Sequence, residues 1–533
     1  MKYIIYTTLF FTVLSYSAKS QTSTPGPKPG TTQTGANAPK TGTTNANTPK
    51  AGTTSSSASA APVVHYPRVT KTAHPLVDVK VKIKGITSGD VMLANHYGDK
   101  QFLQDTVTAD ANGFVEFKSD TLYPGGIYLV VLPNKNYFEI VMTDNQVFSL
   151  ETDTTNLISD MKVTGNKENQ YFYEYLNYLS TLQKKMEPLQ KHYDACKTAG
   201  KKDSVAYYQK QITAIDSTVK AYKRDYAKNK HPDTFMAKVL RAMDEPDALP
   251  YSQCPKKANG DIDSSYVYWN FRNHYWDGMD FTDDRLIRTP VFASKLKFYL
   301  DKVVPQHPDS IAAACDYIID RSKPSKELFK YSVYYCTYTY ETDKRMGFDA
   351  IFVHLVDRYY VTKQVWWVSD EQMTKIINRA NQLKYIQVGK PATNLTLRDS
   401  NGVVKTLAGV KAKYTVLIFW DPTCSHCKKE VPVIRDYVDS LRKLGVSVDV
   451  YGIYSELDYP TWKKFCKDNK LDWVNVCAKD AQELATAKYY YDVFSTPTIV
   501  LLDENKTVLA KRVDAESLQT VLNRELEKDK TGK

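Results

Sequence analysis

The 533-residue chain lacks any segment that approaches the roughly 18 consecutive apolar residues needed to span a bilayer. It also lacks a run of five or more Lys and Arg residues, although basic residues outnumber acidic ones by 71 to 60. A nucleic-acid-binding protein concentrates positive charge on one face, so the sequence predicts no nucleic-acid partner. The net charge of +11 is spread along the chain and indicates a solvated surface.

Cysteine is sparse for this length, with eight residues in all. Only Cys424 and Cys427 stand at a motif spacing, and no second closely spaced pair accompanies them. A structural zinc site needs such a second pair, so the sequence predicts no metal, and nothing in it indicates another cofactor. The pairing of the other thiols stays open; for Cys466 and Cys477, a disulfide and two free thiols are both alternatives. The remaining four are Cys196, Cys254, Cys315 and Cys336.

Residues 1–20 have the pattern of a secretory signal peptide. Lys2 gives the positive start, residues 4–14 form an apolar stretch, and Ala18 and Ser20 are small residues of the kind that a signal peptidase recognises. An uncleaved anchor is the alternative. We therefore expect an exported protein of the periplasm or cell envelope.

The hydrophobic period changes along the rest of the chain and predicts a linker and three domains. Residues 21–64 are almost entirely small and polar and are predicted to form a disordered linker. Residues 65–165 alternate polar and apolar side chains, as in Val77–Ile83, and predict an antiparallel β domain. Residues 166–385 repeat apolar residues at spacings of three and four and predict an α-helical domain. Residues 386–533 alternate strands and helices and predict an α/β fold around a central sheet.

The Cys424–Cys427 pair follows a predicted buried strand at Tyr414–Trp420 and opens a predicted helix. Free N–H groups and the helix dipole at a helix N-terminus stabilise a thiolate. Cys424 is therefore the expected attacking thiolate, and Cys427 is the expected resolving thiol. His426 lies between them; a protonated imidazole would lower a neighbouring thiol pKa, and an exposed loop residue is the alternative.

Two separated segments resemble the TlpA/ResA branch of the thioredoxin superfamily. The segment from Phe419 to Pro432 resembles the active-site segment of that branch, and Ser495-Thr496-Pro497-Thr498 resembles the loop that carries its cis-proline. The resemblance extends over residues 386–533 and implies a thioredoxin-like fold and a protein-disulfide oxidoreductase. Residues 76–165 and the helical middle resemble, more weakly, domains of unknown function, which implies architecture and location and no chemistry.

The resemblance also implies roles for particular residues. Pro497 is expected to be cis and to lie beside Cys424, with the Thr496 backbone and Trp420 in the substrate-binding surface. Glu430 is expected to tune the thiols and to assist proton transfer. An ordinary first-turn acid that the helix dipole favours is the alternative for this residue.

We therefore expect an exported, TlpA/ResA-like disulfide reductase that acts on protein dithiols and disulfides, such as those of cytochrome c biogenesis, with a membrane electron donor. A disulfide isomerase or oxidant is the alternative direction, since Ser425-His426 and the Thr before Pro497 are typical of those enzymes. A scaffold protein with a redox-inactive thioredoxin platform is the alternative of another class. A peroxidase is disfavoured because Asp421 and Leu417 replace the Thr and Pro of peroxiredoxins.

Overall fold

The computed structural model describes residues 75–531, apart from residues 248 and 264. The predicted signal peptide and the predicted linker of residues 21–64 lie outside the described residues. None of the described helices is both long enough and apolar enough to cross a membrane.

The chain divides into two compact units. One unit comprises the residues up to His96 together with Gln101–Arg241. The other comprises Tyr97–Lys100 together with Ala242–Lys533.

The N-terminal region of the described chain is built from eight strands that form two four-stranded sheets. The strands are β1 (Val77–Lys84), β2 (Asp90–Tyr97), β3 (Lys100–Thr108), β4 (Phe114–Ser119), β5 (Gly126–Val131), β6 (Tyr137–Met142), β7 (Val147–Asp153) and β8 (Lys162–Thr164). The strand orders are β4-β1-β7-β8 and β3-β2-β5-β6. In β1, Val77, Val79, Val81 and Ile83 are buried and alternate with polar residues, as the sequence predicts.

One strand pair departs from the predicted antiparallel β domain. β1 pairs with β4 in the antiparallel sense, but with β7 in parallel. The alternating pattern shows which face of a strand is buried and does not show which neighbour the strand pairs with. The parallel pair therefore corrects the expectation of a purely antiparallel domain.

Nine helices follow in the described chain, and they form the predicted helical region. They are α1 (Lys167–Thr198), α2 (Lys202–Asp225), α3 (Phe235–Met243), α4 (Ser265–His274), α5 (Pro290–Phe298), α6 (Pro308–Ser322), α7 (Lys326–Glu341), α8 (Asp349–Leu355) and α9 (Asp370–Lys384). The predicted break at Ala199-Gly200 separates α1 from α2, and Gly200 has the left-handed backbone that a helix end favours. A π-helical turn follows each of α2, α5 and α8.

The C-terminal region, as far as residue 531, has seven strands and four helices. The strands are β9 (Thr396–Arg398), β10 (Val404–Thr406), β11 (Tyr414–Trp420), β12 (Val448–Tyr454), β13 (Val474–Val476), β14 (Thr498–Leu502) and β15 (Val508–Val513). The helices are α10 (Ser425–Lys443), α11 (Tyr459–Asp468), α12 (Ala481–Tyr490) and α13 (Ala515–Thr531).

The central sheet of this region has the order β13-β12-β11-β14-β15, with β11 parallel to β12 and antiparallel to β14. One core cluster includes Ile434 of α10, Trp462 of α11 and Leu518 of α13. A second core cluster includes Leu397 of β9 and Leu484 of α12. Both clusters draw on alternate residues of β11, so all seven of its residues are buried. The predicted α/β fold around a central sheet is confirmed, and β11 ends directly before the Cys424–Cys427 segment.

Candidate active site

Cys424 lies at the point where β11 ends and α10 begins. The Asp421 carboxylate accepts hydrogen bonds from the Thr423 backbone N–H at 2.9 Å and from its hydroxyl at 2.6 Å. The Cys424 N–H donates to the Asp421 carbonyl at 3.2 Å. These bonds close a tight turn, so that Cys424 is the N-cap residue of α10.

The two thiols of the motif have opposite environments. Cys424 is partly exposed, and hydrogen bonding by the Cys427 backbone N–H, the largest cause, lowers the pKa of its thiol. Cys427 is fully buried, and burial raises the pKa of its thiol to about 12. The Cys427 sulfur accepts a hydrogen bond from the Asp421 N–H at 3.4 Å. Cys424 is therefore the more acidic thiol of the pair, and both are in the reduced form.

The loop between α12 and β14 reaches the thiols. The Thr496–Pro497 peptide bond is cis, as the resemblance implies. The Cys424 thiol donates a hydrogen bond to the Thr496 carbonyl at 3.3 Å. The structure thus brings together the two segments that carry the resemblance, and the predicted position of this loop beside Cys424 is confirmed.

A cavity of about 490 Å³ opens beside this loop, and its walls include His426, Glu430 and Pro497. His426 is exposed. The Glu430 carboxylate accepts a hydrogen bond from the Ala515 N–H at 3.0 Å, at the first residue of α13. The bond places the Glu430 carboxylate at the N-terminus of α13, where the helix dipole favours a negative charge. The proton-transfer role of Glu430 stays a prediction.

Trp420 does not belong to a substrate-binding surface. It is the last residue of β11 and is fully buried in the core, where its ring packs 5.1 Å from that of Phe465. The run of apolar residues in β11 does not distinguish the two faces of the strand, since both faces are covered. The expectation that Trp420 contacts substrate is therefore wrong, whereas Thr496 is partly exposed.

Three residues that the sequence does not single out also line this cavity, namely Asp492, Phe494 and Arg512. Phe494 is 73% exposed and stands two positions before Thr496. The available signal was an aromatic residue two positions before the Thr496-Pro497 pair. Asp492 and Arg512 gave no local signal, because their contacts are made between distant segments.

The other thiols do not form a second motif. All eight cysteines are free thiols, including Cys466 and Cys477, whose pairing the sequence left open. Burial raises the pKa of Cys466 to about 12, and burial also raises the pKa of Cys477. Among the residues that the structure describes, no group of three His, Cys, Asp or Glu side chains is arranged to hold a metal ion.

Family models match three segments of the chain. Residues 388–511 match the AhpC/TSA family. Residues 77–172 match a domain of unknown function, DUF4369, and residues 221–385 match another, DUF5106.

Curated relatives match the C-terminal region. The thiol-disulfide oxidoreductase ResA of Bacillus cereus is 27% identical over 126 residues, which cover 24% of this chain and 69% of the relative. The ResA protein of Bacillus subtilis is 31% identical over 124 residues, which cover 23% of this chain and 66% of the relative.

Solved structures are also similar to parts of the chain. A thioredoxin-like protein from Bacteroides caccae is 20% identical, with a TM-score of 0.40, and the match covers 52% of this chain and 98% of that one. A domain of a "possible thiol-disulfide isomerase" from Cytophaga hutchinsonii is 35% identical, with a TM-score of 0.25, and covers 27% of this chain and 97% of that one.

The C-terminal domain, with its five-stranded sheet and its Cys-x-x-Cys pair at the start of a helix, is a protein-disulfide oxidoreductase domain of the thioredoxin superfamily. Over this domain the chain is similar to the ResA proteins of Bacillus, and the two segments that match domains of unknown function precede it.

Proposed function

We propose that this protein is an exported disulfide reductase in which Cys424 attacks substrate disulfides and Cys427 resolves the product. One observation carries the proposal: the thiol with the lowered pKa lies at a helix N-terminus, 3.3 Å from the Thr496 carbonyl, beside a buried partner thiol. Nucleophilic cysteines have such partly exposed, thiolate-favouring environments. Export rests on the predicted signal peptide of residues 1–20.

The reaction proceeds in two exchange steps. The Cys424 thiolate attacks one sulfur of the substrate disulfide, which forms a mixed disulfide and releases the other sulfur as a thiolate. Cys427 then loses its proton and attacks the Cys424 sulfur, which closes the Cys424–Cys427 disulfide and releases the second substrate thiolate. The substrate gains two electrons and the protein loses two. The protons of the two cysteines end on the two substrate thiols.

The roles of the flanking residues follow from their positions. Thr496 offers backbone groups to an extended substrate chain, and cis-Pro497 keeps that edge beside Cys424. His426 and Glu430 line the cavity beside the loop that carries Pro497, and in this proposal they exchange protons with the leaving thiolate. In the reducing direction the disulfide form is recycled by a donor of two electrons, which for an envelope protein is a membrane dithiol carrier.

The resemblance of residues 386–533 to the TlpA/ResA branch favours the reducing direction. The neighbouring His426 favours the opposite direction, because an imidazolium stabilises the reduced form and makes the couple more oxidising. An isomerase or oxidant is therefore the second candidate, and the reduction potential separates it from the first.

The experiment that tests the proposed roles uses matched serine variants. Incubation of Cys427→Ser with native, disulfide-bonded insulin should trap a mixed disulfide on Cys424. The product is visible by non-reducing electrophoresis and peptide mass mapping. Cys424→Ser should trap none. Equal trapping by the two variants would show that Cys424 is not the attacking thiol, and no trapping by either would favour the scaffold alternative.

A further inference from the structure

A buried carboxylate lies on the loop that carries cis-Pro497. The Asp492 side chain is 1% exposed, and its backbone has a left-handed conformation with φ of +54°. A buried carboxylate is retained only where it is paired, because removal from water is costly for a charge. Both Asp492 oxygens bind guanidinium groups, those of Arg379 and Arg512.

One of these two arginines comes from the helical region. Arg379 belongs to α9, within the residues that match DUF5106, and lies 113 positions from Asp492 in sequence. Its second guanidinium nitrogen is 3.2 Å from the Asp492 carboxylate, and the first also donates to Gln382 at 2.9 Å. A bidentate guanidinium fixes the orientation of a carboxylate more strictly than a lysine ammonium does. Arg379 of the helical region thus binds the start of the loop that carries cis-Pro497.

The other arginine holds the same loop from the central sheet. Arg512 of β15 donates to the Asp492 carbonyl at 3.2 Å as well as to the carboxylate. Two elements that are distant in sequence therefore converge on one loop residue, four positions before Thr496.

The same two arginines flank an exposed aromatic ring. The Arg379 guanidinium lies 5.2 Å from the centre of the Phe494 ring, and that of Arg512 lies 5.8 Å from it. Cation–π contacts at these distances hold a ring in place. Phe494 is nevertheless 73% exposed, and it lines the cavity that His426 and Pro497 also line. A scattered exposed apolar residue needs no explanation, but this ring is held in position on the loop whose Thr496 carbonyl accepts the Cys424 hydrogen bond.

We infer that Phe494, which Arg379 and Arg512 hold in place, is a docking surface for the polypeptide substrate, so that the helical region takes part in substrate recognition through Arg379. The occupant is an extended segment of the substrate chain that carries an apolar side chain next to its cysteine. That side chain packs on Phe494 while the cysteine sulfur meets Cys424. Arg379 and Arg512 are positioning residues, since they act through Phe494 and Asp492. The inference rests on the proposed function.

The test compares the prereduced full-length protein with three variants in single-turnover kinetics. The substrates are two synthetic peptides whose cysteine is disulfide-linked to glutathione, one with Phe and one with Ala next to the cysteine. Bis(2-hydroxyethyl) disulfide, which has no side chain to dock, is the third substrate. The variants are Phe494→Ala, Arg379→Gln and the control Lys375→Gln, whose side chain is exposed on the same helix and pairs with Glu371.

We expect the parent protein to prefer the Phe peptide about fivefold, the discrimination that one aromatic contact provides. Phe494→Ala and Arg379→Gln should abolish this preference and leave the rate with bis(2-hydroxyethyl) disulfide within about twofold, while Lys375→Gln should change neither. A preference that survives in Phe494→Ala would overturn the inference. Equal loss with all three substrates in Arg379→Gln would also overturn it, because Arg379 would then act on the thiols.

Two further results are decisive where the kinetics alone are not. If Arg379→Gln fails to fold, Phe494→Ala decides, because its side chain is exposed. If the parent protein fails to reduce bis(2-hydroxyethyl) disulfide, the proposed function is wrong. The docking surface is then judged by the affinity of the Cys424→Ser/Cys427→Ser protein for the S-alkylated peptides, where tighter binding of the Phe peptide supports it and equal binding contradicts it.

Discussion

The motif pair Cys424 and Cys427 differs from the pair Cys315 and Cys336 in the solvent exposure of its first thiol. Cys315 on α6 and Cys336 on α7 are both fully buried. Burial, the largest cause, raises the pKa of Cys315 well above its usual value. Cys424, in contrast, is partly exposed at a helix N-terminus and has a lowered pKa. Partial exposure and backbone N–H groups favour a reactive thiolate at Cys424, whereas burial disfavours one at Cys315.

The largest effect should separate the two pairs by activity. Cys424→Ser should lower the rate of insulin reduction more than about a thousandfold, because the attacking thiolate is removed. Cys315→Ser should leave the rate per folded molecule unchanged. The measurement is the turbidity of the released insulin B chain, with dithiothreitol as the electron source. A fully active Cys424→Ser protein would show that the motif thiol is not the nucleophile.

The next effect should separate the thiols by their reaction with iodoacetamide. In the folded, reduced protein Cys424 should be alkylated first, with a rate that rises with pH and levels off at a lower pH than for a free cysteine, since its pKa is lowered. Cys427, whose pKa is about 12, should remain protonated and unlabelled at pH 8. Cys315 and Cys336 should label only in denaturant. Mass mapping of pH-resolved samples measures all four sites, and early labelling of Cys427 would reverse the assigned roles.

The free energy of unfolding should respond in the opposite order, with a larger loss in Cys315→Ser than in Cys424→Ser. Cys315→Ser replaces a fully buried thiol with a hydroxyl that is more costly to bury, and should lower the free energy of unfolding by about 1–3 kcal/mol. Cys424→Ser lies at a partly exposed position and should change it by no more than about 0.5 kcal/mol. Urea unfolding of each variant, followed by near-ultraviolet circular dichroism, gives both free energies. A larger loss in Cys424→Ser than in Cys315→Ser would contradict the environments described above.

The smallest effect is expected at Glu430. Its carboxylate already accepts the Ala515 N–H, so Glu430→Gln should weaken the N-terminus of α13 by about 0.3–1 kcal/mol. If the carboxylate also tunes the thiols, removal of its negative charge should move the Cys424 alkylation curve to lower pH. The control is Glu371→Gln, an exposed acid on α9 that pairs with Lys375. An unchanged curve would leave Glu430 with its helix-capping role alone.

Local patterns predicted the parts of the fold that local interactions determine. The bounds of β11 match its predicted range, because a run of buried apolar residues defines them. The three-residue β13 is too short to show a period of its own. The start of α9 has a local signal, because Ser369 and Gln372 form a capping box.

The site was predictable where its residues are close in sequence and not where the fold assembles it. Cys424 and Cys427 follow from their spacing after a strand. The side of β11 on which Trp420 lies could not be predicted, because both faces of that strand are buried. The Arg379–Asp492 contact joins a helix of one region to a loop of another, and no periodic pattern specifies such a pair.

The reduction potential of the Cys424–Cys427 couple tests the central claim most directly. It is measured by equilibration with dithiol and glutathione redox buffers, followed by thiol trapping and mass spectrometry. A disulfide reductase requires a potential near or below about −250 mV, and this is the value that we expect. A potential between about −180 and −120 mV would make the protein an isomerase or oxidant, and the absence of a reversible disulfide between these cysteines would contradict the account altogether.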